Sequence, residues 1–459
     1  MEPTDKKLEG SFVPFCYPIS RTLQLLTISE LTQKSKHTRQ TDHEATNHSY
    51  RSVMADPNYV DPSAQPAAFK TYPKFYRRFP LTTDNPIHDF IRLTSTITFR
   101  KIYRDGPYQL RVNPSAGALY PTEIYLQIRG IQGIVEGIYH LEVATDSLTL
   151  IYELIDDGIE SHILPDRWVK GIIFLVSCAY YRSSWKYKQR GLRYCLLDSG
   201  HHLGAIEASA YLHKQPVEAI FDFDKPALNQ VLGFENKEWV TAAIVTGEIK
   251  QRAVRSLRST LPFVSPTDYF EPDPWIEKAY QETLLPASPA RPLQHPEFNL
   301  ESERFLQAIL NRRSARRFRQ KPISQTDYLT LLQVTEQPIP TQSLEELQIF
   351  WIVNRVEGRE PGLYEADRLL RSGDFSAKAG YLCVNQAIAR DSAVTLFFTA
   401  AYHNYQTASQ LAGWIGHRLY LMSDYLGISC SGIGAYFDDE TREFLGTDKS
   451  VLYAVAIGI

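Results

Sequence analysis

Four stretches of the chain hold residue types with a chemical use at close spacing. In Leu110–Glu123, LRVNPSAGALYPTE, Pro114 fixes its own φ and Ser115 offers a hydroxyl. Ala116 and Gly117 let a flat ligand come close to the backbone, and Arg111 and Asn113 stand just upstream. A tight turn between two strands would use the same residues. In Asn311–Phe318, Arg312, Arg313, Arg316 and Arg317 surround Ser314, with Lys321 beyond. Guanidinium forks and a hydroxyl can share the oxygens of a phosphate; a solvated basic face is the alternative. In Ser429–Gly434, Gly432 and Gly434 flank Ile433 and follow Ser431, a spacing that serves close backbone approach or an ordinary turn. In Arg182–Tyr194, Lys186 stands beside Tyr187 among further cations. Such a pair can supply a general acid or base with a lowered pKa, or it is a basic loop ahead of a buried helix. His201 and His202, inside that helix, read as hydrogen-bonded structural histidines.

Other chemistries lack their residues. The sequence has no HExxH, no CxxC and no carboxylate cluster of convincing spacing, so no metal site is expected. It also has no GxGxxG after a strand and no Walker loop, which disfavours Rossmann and P-loop nucleotide sites. The 459 residues are 43% hydrophobic and 22% charged, enough for a sizeable core. That length suits two large domains or roughly three ordinary ones. Lys plus Arg is 49 against 52 for Asp plus Glu, a formal charge of −3 that argues against a nucleic-acid binder. Cys16, Cys178, Cys195, Cys383 and Cys430 are scattered and odd in number, which excludes a disulfide framework and suits a reducing cytoplasm. The N-terminus lacks an apolar signal region, and no uncharged run reaches the roughly 18 residues of a spanning helix. Neither membrane nor export is expected.

The elements that must position these stretches follow from periodicity. Residues 1–80 are polar and aperiodic and read as an irregular arm, with a short helix near Arg21–Gln33, that clamps a neighbouring surface or, as the alternative, docks a peptide. Residues 81–253 hold a helix over Ile87–Thr98, an alternating strand at Glu123–Arg129 and buried strands at Ile172–Cys178 and Trp239–Thr246. A long helix covers Arg193–Leu212. Residues 254–300 are rich in proline and read as a linker that joins no regular element. Residues 301–459 repeat the order: helix Ser302–Asn311, strands Gln348–Val353 and Val394–Thr399, helix Gln410–Tyr425 and closing strand Val451–Ile457. Gly200-His201 matches Gly416-His417, and FDFDKPALNQVLG (Phe221–Gly233) resembles YFDDETREFLG (Tyr436–Gly446). A repeated unit of roughly 160 residues is too long for a solenoid repeat. The pattern is an α+β chain of two tandem halves, a dimer fused into one chain.

These stretches resemble those of the FMN-dependent nitroreductase-like superfamily, and within it the SagB/ThcOx-type dehydrogenases in their tandem form. NPSAGALYPTE is close to that group's flavin-site motif, and RRSARRF resembles the flavin-phosphate motif of nitroreductases. WKYKQRGLRYCLLDSGH resembles the segment that carries the Lys-Tyr pair of azoline dehydrogenases; the likeness runs from about Asp84 to Ile459. The resemblance implies a nitroreductase-like fold whose halves form an intrachain pseudo-dimer with FMN between them. Arg111, Asn113, Pro114, Ser115, Ala116 and Gly117 would meet the flavin from the first half. Arg312, Arg313, Ser314 and Arg316 would hold its phosphate from the second, with Ser431, Gly432, Ile433 and Gly434 beside the ring or ribityl chain. At the matching positions the first half has only Arg92-Leu93-Thr94-Ser95, and the second has Pro338–Ser343 without SAGALYP. One composite site is therefore expected complete and its mate dismantled, giving one FMN per chain. With Gly200 aligned on Gly416, Tyr402-His403 falls near the place of Lys186-Tyr187, so that only the first half carries the catalytic pair.

The implied reaction is oxidation of a thiazoline or oxazoline in a peptide natural product to the azole. Lys186 or Tyr187 takes the ring-carbon proton or orients its acceptor, hydride passes to FMN, and dioxygen reoxidises the flavin. Two readings compete: an NAD(P)H-dependent nitro- or quinone reductase with no need of Lys186, and a flavin-holding, catalytically silent partner in a biosynthetic complex. The expected partners are a peptide or small heterocyclic substrate and other biosynthetic enzymes, with a further homodimer not required.

Overall fold

The computed structural model describes residues 43–56, 60–103, 106–284, 290–343, 346–401 and 405–459. The helix expected at Arg21–Gln33 and the Tyr402-His403 dipeptide lie outside these residues. In the first half, α1 (Pro86–Leu93) starts on Asn85, whose side chain accepts from the Ile87 and His88 amides, with Pro86 at the first helical position. It stops at Leu93 rather than running to Thr98. The Thr94 hydroxyl bonds back to the Ile91 carbonyl, and the β-branched Thr96-Ile97-Thr98 prefers extended backbone.

The strands of the first half are β1 (Arg78–Pro80), β2 (Ile97–Tyr103), β3 (Gly106–Arg111), β4 (Thr122–Arg129), β5 (Gly137–Glu142), β6 (Ser147–Glu153), β7 (Arg167–Cys178), β8 (Glu218–Ile220) and β9 (Trp239–Gln251). The second half adds β10 (Gln348–Val353), β11 (Gly362–Glu365), β12 (Arg368–Ser372), β13 (Val394–Ala400), β14 (Ser429–Ile433) and β15 (Ser450–Gly458). One sheet runs β1-β6-β5-β4-β7-β9-β8 and the other β12-β11-β10-β13-β15-β14, all pairs antiparallel. Apart from the edge strand β1 the two orders correspond strand for strand, which establishes the duplication. Strands β2 and β3 form a separate hairpin.

Helices continue the correspondence: α2 (Tyr181–Tyr187), α3 (Gly191–Leu212), α4 (Lys225–Val231), α5 (Pro274–Glu282), α6 (Ser302–Asn311), α7 (Gln325–Glu336), α8 (Tyr405–Leu426) and α9 (Asp438–Leu445). Helices α3 and α8 match, as do α4 and α9. Helix α2 has no counterpart, because β13 and α8 are joined by residues 401–404 alone. The segment 254–300, expected to join no regular element, contains α5. Its proline sits at the first helical position, where no amide hydrogen is needed, behind the Asp273 cap. Ile276, Ala279 and Tyr280 of α5 are buried, with the Tyr280 ring stacked on Trp239 at 4.1 Å. Part of the arm is equally well tied down. Lys70 is fully buried, its Nζ donating to Glu238 Oε2 and to the Tyr125 phenol at 2.5 Å each. Among the described residues no helix is long and apolar enough to cross a membrane.

Helices α3 and α8 are buried on all sides for most of their length and pack on one another at the centre of the molecule. Glycine permits the contact. A Cβ on Gly200 would lie 2.0 Å from the Gln410 carbonyl oxygen, and one on Gly413 would lie 2.2 Å from that of Leu197. The two contacts are each other's image, so the pseudo-twofold exchanges Gly200 with Gly413 and Leu197 with Gln410. The pairing of Gly200 with Gly416 read from the Gly-His dipeptides is therefore corrected. Gly416 instead makes room for the Tyr453 and His201 rings, whose Cε1 atoms would be 2.7 and 3.0 Å from its Cβ. Gly200→Ala should destabilise the chain by about 1–3 kcal/mol, the usual range for overpacking, measured as a lowered midpoint in urea unfolding. An unchanged midpoint would mean that the helices do not touch there.

Candidate active site between the halves

A cavity of about 760 Å³ opens where the loop after β3 faces the segment after α6. The β2–β3 hairpin contributes Phe99, Lys101 and Tyr108 to its wall. On the first-half side, Gly117, Ala118 and Tyr120 all have positive φ, at 63°, 56° and 48°. The Ser115 hydroxyl accepts from the Tyr120 amide at 2.9 Å and donates to Asp198 Oδ2 at 2.5 Å. The Ala116 amide donates to Asp198 Oδ1 at 3.2 Å. Burial pushes the Asp198 carboxyl up to about 7 despite these bonds. Pro114 to Ala118 line the cavity, whereas Arg111 and Asn113 lie behind it. The Arg111 guanidinium is buried over the Phe69 and Tyr120 rings and donates to the Ala68 carbonyl. Asn113 is fully buried with its side-chain amide unpartnered.

The second half supplies the opposite wall. Arg312, only 3% exposed, donates from Nε to the Val112 carbonyl at 2.7 Å and from Nη2 to that of Arg111 at 3.1 Å. Its Nη1 is buried without a partner. Arg313 is committed to the hairpin through Thr98 Oγ1 and the Thr98 carbonyl, at 3.0 and 2.7 Å. Ser314 Oγ meets the Tyr420 phenol at 2.8 Å, which also accepts from the Gly432 amide at 2.6 Å. Arg316 is exposed at the edge of the cavity. Gly432 and Gly434 line the cavity, but what approaches them is tyrosine. Added Cβ atoms would lie 1.8 Å from the Tyr453 phenol and 2.2 Å from the Tyr194 ring. Ser431 and Ile433 are buried and outside the lining.

Lys186 and Tyr187, at the end of α2, come to the same loop. A Cβ on Gly117 would be 2.6 Å from the Tyr187 phenol oxygen and 3.4 Å from Lys186 Nζ. The Tyr187 ring stands edge-on to Tyr194 at 4.5 Å, and burial pushes its phenol above the ordinary tyrosine value. The turn from α2 into α3 is clamped from two directions. Arg190 and Arg193 donate to Asp438 Oδ2 and Oδ1 at 2.9 and 2.6 Å, while they also donate to the Thr46 and His43 carbonyls of the arm. His201 and His202 are buried in α3 and hydrogen-bonded to the Tyr453 phenol and Thr122 Oγ1, as their helical setting suggested.

The pseudo-twofold sets Asp198 against Leu411, His201 against Trp414 and Tyr420 against Glu207. Trp414 Nε1 donates to Glu207 at 2.8 Å, and Arg418 binds both Glu207 oxygens at 2.7 and 2.6 Å. Arg418 also donates to the Gln337 and Pro338 carbonyls. A buried ion pair thus stands where the mate of the cavity would be. Asp198, Tyr194, Tyr420, Tyr453 and the hairpin residues were not singled out in the sequence. Asp198 had a signal, an acid inside an apolar helical run. The tyrosines had none, since an aromatic at helical or strand spacing reads as core.

The chain has a nitroreductase-like fold of two tandem halves that form an intrachain pseudo-dimer. Residues 309–459 match the sequence model of the nitroreductase family. A putative nitroreductase of Methanocaldococcus jannaschii is 32% identical over 91 residues, 19% of this chain and 46% of that protein. The chain therefore spans about half the length of the curated relative it matches. The crystal structure of a putative nitroreductase from Anabaena variabilis covers 92% of this chain and 99% of its own, with TM-score 0.77 and 25% identity. One chain of the E. coli microcin synthetase complex aligns over 50% of this chain and 99% of its own at TM-score 0.30 and 15% identity.

The clamp is testable. Asp438→Asn should cost about 3–5 kcal/mol, as for other broken buried ion pairs. The two guanidinium groups hold the Asp438 carboxyl well below the usual carboxylate range despite its burial. Its contribution is therefore present above the unfolded value of about 3.9 and lost as pH falls toward the folded value. Denaturant midpoints of wild type and variant should converge only in that acid range.

Proposed function

We propose that the chain is an FMN-dependent dehydrogenase of the SagB/ThcOx type that oxidises a thiazoline- or oxazoline-type ring in a peptide natural product to the azole. The observation that carries this reading is convergence. Lys186 and Tyr187, which do not themselves line the cavity, meet Gly117 of its wall, and the opposite wall presents a buried, unpartnered guanidinium nitrogen of Arg312. The residues fit FMN. Arg312 Nη1, Ser314 and the exposed Arg316 offer donors for an anionic ligand, and the Pro114–Gly117 backbone offers a flat wall. Gly432 and Gly434 keep Tyr453 and Tyr194 in that wall. One site per chain is expected, because Glu207 and Arg418 stand at its mate.

Bound FMN would supply a two-electron acceptor for hydride. The protein's own part is proton handling. Tyr187, whose phenol burial pushes up, keeps its proton and orients the substrate as a donor, while Lys186 takes the proton from the ring carbon α to the carbonyl. Loss of that proton and of one hydride turns the azoline into the azole. Dioxygen would reoxidise the flavin, and other biosynthetic enzymes would supply the cyclised peptide.

The test starts with flavin quantified against chain, expected at one FMN per chain. Anaerobic mixing with an azoline peptide should then bleach the flavin bands. Lys186→Ala should slow bleaching by about 10²–10⁴-fold, the usual range for a lost general base, at unchanged FMN content. Bleaching by NADPH that ignores Lys186→Ala, with none by the peptide, would replace this reading with a reductase. No flavin after reconstitution would leave the silent partner.

A further inference from the structure

Asp198 is the buried acid of the cavity wall, and neither a cofactor phosphate nor a substrate proton accounts for it. Its two oxygens are taken by Ser115 Oγ and the Ala116 amide, and Ser115 Oγ is itself held by the Tyr120 amide. The carboxylate thus holds the start of the loop directly and its far end through the Ser115 hydroxyl, across three positive-φ residues of which two are not glycine. Such backbone costs of order 1–3 kcal/mol per residue and persists only where its surroundings over-determine it. Among the described residues Asp198 has no ion pair, so the fold gains no buried salt bridge by keeping it. A purely structural need of the long helix would recur in both halves, yet the twofold equivalent is Leu411, in the half without the Ser-Ala-Gly loop.

We propose that Asp198 is the positioning residue of this loop: ionised, it holds Ser115–Gly117 in the form that receives the flavin beside Tyr187, and protonated, it releases the loop. The proposal rests on the FMN reading above. Tyr187 of α2, Cys178 at the end of β7 and Tyr453 of β15 lie close enough to feel the carboxylate charge. Tyr194 and His201 of α3 and Arg312 and Tyr420 of the second half share its cavity wall, and Lys186 of α2 meets the same loop at Gly117. Burial holds His201 down at about 3 and pushes Tyr187, Cys178, Tyr420 and Tyr453 above their ordinary values. Those five do not titrate near neutrality, whereas Asp198, at about 7, does.

The experiment is the FMN dissociation constant of the full chain from about pH 5.5 to 8.5, for wild type and Asp198→Asn. If only the ionised carboxylate holds the loop, wild type binds FMN about tenfold more weakly at pH 6 than at pH 8, beyond any change the variant shows. The comparison removes the flavin phosphate's own ionisation near pH 6, which both proteins share. Asp198→Asn should bind more weakly at pH 8 and approach wild type at pH 6, with a displaced visible flavin band. Parallel curves, or equal affinity at pH 8, would overturn the proposal and leave the flavin reading intact. No FMN binding by wild type would overturn both. Should Asp198→Asn not fold, Ser115→Ala serves. It removes one of the two donors to the carboxylate, so the fall in affinity should move to higher pH, and an unmoved transition overturns the proposal.

Discussion

The close crossing of α3 and α8 at Gly200 and Gly413 is the constraint on which the rest of this structure depends. Two helices buried all round can approach to backbone contact only where neither carries a Cβ, and one at Gly200 or Gly413 would force the backbones apart. That contact fixes the pseudo-twofold, and the twofold in turn brings the end of β3 to the start of the segment after α6. Arg312 then satisfies two carbonyls of the other half while one of its nitrogens stays free for a ligand. The composite cavity is thus a consequence of interface geometry rather than of either half alone.

Duplication makes two such places, and the described cavity opens at one of them. At the exchanged positions the long helices have diverged in kind. An acid faces a leucine, a histidine a tryptophan and a tyrosine a glutamate. The Glu207–Arg418 pair is buried, and breaking such a pair is far more costly than replacing it whole. The equivalent place in the other half is therefore filled by a pair that packing holds in position.

The other buried charges show where the chain outside the two sheets matters. Lys70 closes onto Glu238 beneath the first sheet, and the 43–48 segment caps the Arg190–Asp438–Arg193 cluster. Both draw on residues that have no counterpart in the repeated unit. The second cluster also holds the turn that carries Lys186 and Tyr187, so the described part of the arm is joined to that turn through the Arg190 and Arg193 side chains.

The sequence by itself determined the elements whose cause is local. The apolar strands, the two long helices, the repeat and the Pro-Ser-Ala-Gly and arginine segments were legible because periodicity and residue chemistry declare themselves over a few neighbours. Helix α5 among the prolines was misread, since Pro274 at a helix start looks the same as proline in a linker until its buried face is known. Only the tertiary structure decided which positions are paired by the twofold, because the Gly-His dipeptides look alike while the helices meet through Gly200 and Gly413. It also decided that Gly432 and Gly434 make room for Tyr453 and Tyr194, that Arg111 stands behind the wall, and that Asp198 reaches Ser115. Each of these is a contact between residues far apart in the chain, and spacing along a sequence carries no information about distance across an interface.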